Sequence, residues 1–293
     1  MTHVTPVGLE TARIAVITLC STPRVAHLRN QLAALAGRAD VERIVVWIDD
    51  DDAPTLDADR ILRVDRGAAG LRLAAARNAG ADAAIADGAT LLVFLDADCV
   101  PGPDLIDRYG AAASLHPDAV LSGPVTYLPP GFDVADRRAL VAATAPHPAR
   151  PAPADGEVQA ASDDEYPLFW SLSFAVRADE WMRIGGFDEG YEGYGGEDTD
   201  FAFTLRSRVV PLLWVGGAHA YHQHHETSTP PWQHLDDILR NGARFAARWG
   251  EWPMTGWLEA FAEDGAVRWD GSSWRRTDAS VSRMVGVGPG SAS

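Results

Sequence analysis

The chain has 293 residues, 46% hydrophobic and 23% charged, enough for one large domain or two small ones around a sizeable core. A formal net charge of −16 excludes a general nucleic-acid binder, because neutralising phosphates needs basic surface. All 25 basic residues are arginine, so neither a Schiff-base lysine nor a P-loop lysine is available. Cys20 and Cys99 cannot build a disulfide framework, and nothing resembles a zinc ligand set. No apolar run reaches the ~18–20 residues that span a bilayer. The opening MTHVTPVGLE lacks the pattern of a signal peptide, so the expected location is cytoplasmic.

In chain order, the apolar run RIAVITL (13–19) predicts a buried strand that ends in a turn at 20–23. Apolar spacing over Val25–Leu35 predicts a helix. RIVVWI (43–48) is a second strand that runs into four aspartates, Asp49 to Asp52. A third strand is expected at 61–64, an alanine-rich helix at 70–86, and a fourth strand, TLLVFL, at 90–95. This alternation predicts a mostly parallel α/β sheet covered on both faces. Ligands then bind beyond the carboxyl ends of the strands. Polar residues gather there after strands one, two and four.

The stretch 128–164 is rich in Pro, Ala and Asp, with little periodicity, and reads as a mobile functional loop. Order is expected again as a strand over 166–176, a helix over 178–184 and a helical stretch over 201–205. A strand at 210–215 delivers four histidines, His219, His222, His224 and His225. A helix at 234–249, a hairpin around Asp270–Gly271 and a disordered tail complete the reading.

Several clusters can carry chemistry. Asp96–Ala97–Asp98 follows a buried strand, and two carboxylates one residue apart on extended chain face the same side, where they can hold a hard cation. The tetrapeptide LDAD also occurs at 56–59, but there it follows no apolar strand and reads as solvated surface. Either Asp49 or Asp50 can hydrogen-bond a nucleotide, the remaining aspartates forming a solvated turn. Glu197, Asp198 and Asp200 open a helical stretch, where acids suit the dipole. Three acids in four residues exceed that need, and a carboxylate there can serve as general base. Gly195 and Gly196 before them allow close approach of a ligand. One of the clustered histidines can complete a metal shell. Among the ten tryptophans, Trp170 and Trp232 are the candidates for sugar stacking.

Taken together, strand–DDDD, AAARNAGADAA, VFLDADCVP, GGFDEGYEGYGGEDTDFAFTLR and AYHQHH resemble the GT-A glycosyltransferases of family 2. They also resemble the galactosyltransferase-like C-terminal module shared with chondroitin-type polymerases and β-1,4-galactosyltransferases. The resemblance covers about residues 14–257. It implies a single large domain, with 1–127 as the nucleotide-sugar half, 128–262 as the acceptor and catalytic half, and 263–293 as a C-terminal extension. Asp98 matches the metal-binding aspartate, with Asp96 nearer the ribose and Ala97 between them. Asp49 or Asp50 matches the acid that contacts uridine, and Thr18, Cys20 and Ser21 match the loop lining the nucleotide. Arg77 and Asn78 match the R-N-x-G helix start near the nucleotide sugar. Asp198 is similar to the family's catalytic base, and Glu197 to a sugar- or acceptor-binding neighbour. Gly195 and Gly196 belong to that same motif. His222 matches the metal-ligating histidine, although His224 and His225 depart from the usual pattern.

The resemblance further implies inverting transfer, assisted by Mn²⁺ (or Mg²⁺), from a UDP-sugar or similar donor to a saccharide or other hydroxyl acceptor. Two other readings are a nucleotidyltransferase and a non-catalytic nucleotide- or carbohydrate-binding protein. The first wants a basic glycine-rich loop after strand one, where 20–24 offers one arginine; the intact Glu197–Asp198 pair opposes the second. The duplicate tetrapeptide supplies a control. Asp98→Ala should abolish Mn²⁺-dependent thermal stabilisation by a nucleoside diphosphate, and Asp59→Ala should retain it. Equal losses would refute the metal assignment.

Overall fold

The apolar runs of the first half pair side by side, and the rest of the chain is built onto them. A computed structural model describes residues 12–277. The order is β1 (Ile14–Cys20), α1 (Val25–Leu35), β2 (Val41–Trp47), β3 (Arg60–Arg63), α2 (Leu73–Ala86), β4 (Leu91–Leu95) and β5 (Cys99–Pro101). There follow α3 (Leu105–Leu115), β6 (Val120–Ser122), β7 (Val125–Tyr127), α4 (Arg137–Ala142), β8 (Val158–Ala160) and β9 (Ser173–Arg177). The chain continues through α5 (Ala178–Ile184), α6 (Glu197–Ser207), β10 (Leu212–Val215) and β11 (Ala220–His222). It closes with α7 (Leu235–Trp249), α8 (Thr255–Glu263), β12 (Val267–Trp269) and β13 (Trp274–Arg276).

The main sheet has the order β3-β2-β1-β4-β9-β6-β10-β8. Strands β9 and β8 run against their neighbours, and the other pairings are parallel. Along β1, Val16 joins the apolar cluster on one face with Val93, Tyr109 and Leu121. Ile17, one residue on, joins the other face with Ile44, Phe94, Phe174 and Phe201. Both faces are therefore dry, as a parallel sheet requires. β1 and β4 are neighbours, in register from Ile14 opposite Leu91 to Ile17 opposite Phe94.

A small second sheet, β5-β11-β7, lies beyond the end of β4. Its register sets His222 opposite Cys99 on one side and Tyr127 on the other. Past it, α7, α8 and the β12–β13 hairpin share an apolar cluster of Leu235, Ile238, Leu258, Phe261 and Val267. The hairpin thus stands where the Asp270–Gly271 turn predicts it. The expected tail lies outside the described residues. No helix among the described residues is long and apolar enough to cross a membrane.

Two segments differ from expectation. The strand anticipated over 166–176 begins only at Ser173, and Tyr166–Leu168 is a 3₁₀ turn. Pro167 offers no N–H to a ladder, and the Tyr166 hydroxyl is used to bond the Val210 carbonyl at 2.8 Å. The 128–164 stretch, read as irregular, carries α4 and the edge strand β8. Asp136 caps α4 through the N–H groups of Arg138 and Ala139. Leu140 and Arg150 from the same stretch are buried.

Gly80 sits where α2 presses on the sheet. A Cβ there would overlap the Ile17 side chain and stand 3.1 Å from a Val46 methyl. Gly80→Ala should therefore lose ~1–3 kcal/mol by overpacking, against the gain that helix propensity alone would give. Thermal or urea unfolding checks this, and a stabilised variant would contradict the packing.

Candidate active site

One corner of the site grows from the end of β4, where five buried apolar residues deliver the acidic turn. Asp98 is buried, yet its Oδ1 has no hydrogen-bond partner. That oxygen lies 3.5 Å from His222 Nε2. Oδ2 accepts from Arg24 Nε at 3.1 Å and lies 3.3 Å from His225 Nε2. One ligand atom each from Asp98, His222 and His225 falls within 4.8 Å of the others. Burial alone would raise the Asp98 pKa, but the His225 hydrogen bond and the charges of His222 and Arg24 hold it below the ordinary value. Burial lowers His222, while the bond to Asp98 raises His225.

The spacing of the two histidines has a local cause. Between them Gln223 is buried, and its N–H donates to the Asp98 carbonyl at 2.7 Å. Its side chain also accepts from Asn30 Nδ2 and donates to the His27 carbonyl. His224 is exposed and stands outside the triad. His219 is buried against Thr126, to which it bonds at 2.6 Å, and burial lowers its pKa to about 4. The sequence singled out His222 and left His225 among alternatives; the structure brings both to Asp98.

The second corner is the start of α6. Gly195 and Gly196 are left-handed, at φ +84° and +94°. A Cβ on Gly195 would come within 2.8 Å of Met254 Sδ, and one on Gly196 within 3.1 Å of Tyr191. Both positions therefore favour glycine for backbone conformation and for the protein atoms a side chain would meet. Beyond them, buried Arg77 donates to Glu197 Oε1 at 3.2 Å and to Asp96 Oδ1 at 3.4 Å. Its guanidinium lies 5.1 Å from the Phe187 ring centroid. Burial and the Glu197 charge push Asp198 up to about 7, against the opposing N–H of Thr199 and the charge of Arg77. Burial likewise lifts Asp96 to about 6, although Arg77 pulls it down. Asp200, by contrast, is committed to the fold, accepting from Trp249, Tyr191 and Arg248.

The third corner joins the ends of β1 and β2. Asp49 Oδ2 accepts from the Thr22 N–H at 3.0 Å and Oδ1 from Arg66 at 3.2 Å, and these bonds lower its pKa to about 2. The Asp50 side chain is exposed. Ser21 is half-buried where β1 gives way to a 3₁₀ turn. Thr18 and Cys20 turn inward instead: the Thr18 hydroxyl donates to Gln31 at 2.7 Å, and burial pushes the Cys20 thiol up to about 12. Ala97 is buried in the cluster with Cys20 and Trp47. Asn78 is fully engaged by the Phe187 backbone and Glu189. The side chains of Thr18, Cys20 and Asn78 therefore face protein.

Two residues after Trp170, the Leu172 carbonyl accepts the Asp96 N–H at 3.0 Å, and the Trp170 ring meets His147 at 5.0 Å. Arg150 lies between Trp170 and Trp214, 5.4 and 5.2 Å from their centroids. Trp232 packs edge-on to Phe261 at 4.9 Å, in the α7–α8 cluster. Arg24, Arg66 and Arg150 were not anticipated, because a lone arginine in a loop has no pattern to betray its partner. Asp59 in the duplicate LDAD is paired with Arg43 and takes no part in the triad. A cavity of about 600 Å³ lies at the amino ends of β1 and β2, away from these corners, and its Arg38 and Arg43 are already paired with aspartates.

Residues 56–139 match the profile of glycosyl transferase family 2, and residues 158–225 that of the N-terminal domain of galactosyltransferase. A validoxylamine A glucosyltransferase of Streptomyces hygroscopicus subsp. jinggangensis (strain 5008) is 29% identical over 215 residues, 64% of this chain and 50% of its own. A protein of the same name from subsp. limoneus is 31% identical over 159 residues, covering 49% and 34%. The chain spans half or less of these relatives' length. Among solved structures, S. aureus TarS 1-349 in complex with UDP-GlcNAc aligns at TM-score 0.57 and 14% identity, over 87% of this chain and 72% of that one. GalNAc-T7 with UDP, GalNAc and Mn²⁺ aligns at 0.56 and 16%, over 81% and 48%. The fold is that of GT-A glycosyltransferases.

The raised Asp198 value has a consequence for stability. The unfolded chain releases this proton near 3.8 and the folded chain near 7, so the contribution of Asp198 falls as pH rises between them. In metal-free buffer, Asp198→Asn should be more stable than wild type at pH 8, by at most ~4 kcal/mol, and the gap should close toward pH 4. Equal stability of the two at pH 8 would contradict the raised value.

Proposed function

Starting from a chain with the GT-A fold and matches to two glycosyltransferase profiles, we propose metal-dependent, inverting transfer of a sugar from a UDP-sugar to an acceptor hydroxyl. The observation that carries this reading is that buried Arg77 ties Asp96, in the turn that bears Asp98 of the Asp98–His222–His225 triad, to Glu197, the neighbour of Asp198. Support for the donor comes from the UDP named in the structural neighbours and the glucosyltransferase names of the relatives. In this reading 1–127 provides the donor side and 128–262 the catalytic side.

The donor set fits a divalent cation: a buried carboxylate, one of whose oxygens lacks a hydrogen-bond partner, lies beside two imidazole nitrogens. Two nitrogen ligands favour Mn²⁺ over Mg²⁺, which prefers oxygen. When bound, such an ion supplies Lewis-acid neutralisation of charge on a diphosphate leaving group. Arg24 adds a fixed positive charge at the same corner. Asp49, held ionised and aimed by Thr22 and Arg66, is the acid for the nucleotide. Asp198 takes the proton of the acceptor hydroxyl as its oxygen attacks the anomeric carbon from the face opposite the leaving group. The new carbon–oxygen bond forms as the bond to the diphosphate breaks. A base with a pKa near 7 is well matched to that task at neutral pH. Arg77 bridges Glu197 and Asp96 beside it, and Glu197 and Trp170 are the candidates for meeting the sugar.

A panel of UDP-sugars with Mn²⁺, read as UDP release and thermal shift, tests the donor. With the best pair, Asp198→Asn should cut turnover by at least ~100-fold while UDP–Mn²⁺ binding is retained. Asp200→Asn should instead lower the melting temperature, because it disturbs a buried network. Near-normal turnover in Asp198→Asn would overturn the assignment of the base.

A further inference from the structure

The segment before α6 is rich in glycine. Gly185, Gly186, Gly193, Gly195 and Gly196 all adopt positive φ, and glycine gains more freedom on release than any other residue. A base on the first turn of α6 would inherit that looseness unless something outside the segment fixed it. A catalytic group must be held to within a fraction of an ångström.

One face of α7 meets this need. Asp237, Arg240, Asn241, Arg244 and Arg248 are spaced three, four, seven and eleven residues along, which lines them up on one side of a helix. Asp237 accepts the Tyr194 N–H at 3.1 Å, and Arg240 donates to the Glu192 carbonyl at 2.6 Å. Arg244 forks onto Asp188, and Arg248 reaches Asp200 and Thr204. Asn241 is buried, and its Nδ2 lies 3.0, 3.2 and 2.9 Å from the carbonyls of Glu192, Tyr194 and Gly195. Its Cβ is also 3.5 Å from where a side chain on Gly196 would begin. These ties end on residues 188–204, with Arg240 also reaching the Ala69 carbonyl at 3.5 Å, and the central one ends on the turn that launches Asp198. Behind α7, the apolar cluster with α8 and the hairpin gives the clamp its backing.

We infer that α7 is a clamp on the glycine-rich segment and that Asn241 is a positioning residue for Asp198. This rests on the reading of Asp198 as the base. Two hydrogens shared among three carbonyls hold the turn without adding charge beside an already acidic site.

The test compares Asn241→Ala with Ala243→Gln, a change on the exposed side of the same helix. Amide hydrogen exchange over 192–200 should quicken in Asn241→Ala, and kcat should fall about 10–100-fold with donor KM and UDP–Mn²⁺ binding unchanged. The pH profile should also move, which general loosening elsewhere would not cause. Ala243→Gln should match wild type. Unchanged exchange over 192–200 overturns the clamp whether or not the protein turns over a sugar. Quickened exchange with wild-type kcat and pH profile overturns the positioning role. Full activity in Asp198→Asn overturns the base assignment, and exchange then still decides the clamp alone. Should Asn241→Ala not fold, Arg244→Gln removes the Asp188 tie from the surface and is read by the same exchange.

Discussion

The buried guanidinium of Arg77 is the contact on which the site depends. Four carboxylates, Asp96, Asp98, Glu197 and Asp198, converge where β4 ends and α6 begins, on elements far apart in sequence. Repulsion would drive those elements apart, and burying uncompensated charge costs several kcal/mol per ion. Arg77 answers part of this by bonding Asp96 and Glu197 at once. Its own position follows from α2, which lies close on β1 because Gly80 presents no side chain. Burial, helped by the neighbouring carboxylates, raises Asp96 and Asp198, and one oxygen of Asp98 is left without a partner. Those are the places where a proton or a cation would be taken up. Fold and chemistry therefore share one electrostatic cause.

A second regularity concerns what stands behind the charged groups. Neutral side-chain amides stand behind the site: Gln31 bonds the carbonyls of Asp96 and Cys99, Gln223 the carbonyl of His27, Asn78 the backbone of Phe187, and Asn241 the turn before Glu197. An amide donates and accepts without changing net charge. An acid or a base in the same place would shift every carboxylate nearby. These amides thus add to the arginine contacts a support that leaves the potential of the site untouched.

Much of this was legible in the sequence, for identifiable reasons. Long apolar runs gave β1, β2 and β4 and the helix between, and Val25–Leu35 and Ala178–Ile184 were bounded as found. The strands β5, β7 and β11 are three residues each, too short for any periodicity, yet they set His222 beside Asp98. The resemblance supplied roles for motifs but not the direction of side chains. Thr18 and Cys20 are two apart on a strand and so share a face, and that face packs on α1. His225 escaped selection because only the burial of Gln223 shows which histidines turn the same way.

The two cysteines carry a consequence of a different kind. Cys20 ends β1 and Cys99 opens β5, so both thiols lie close to the working edge of the sheet. Each is buried, and burial raises both well above their ordinary value, keeping them protonated. A protonated thiol is neither a nucleophile nor a ligand for soft metals. Peroxide and alkylating reagents should therefore react slowly with either thiol. The donors left at this edge of the sheet are the oxygens and nitrogens of Asp98, His222 and His225.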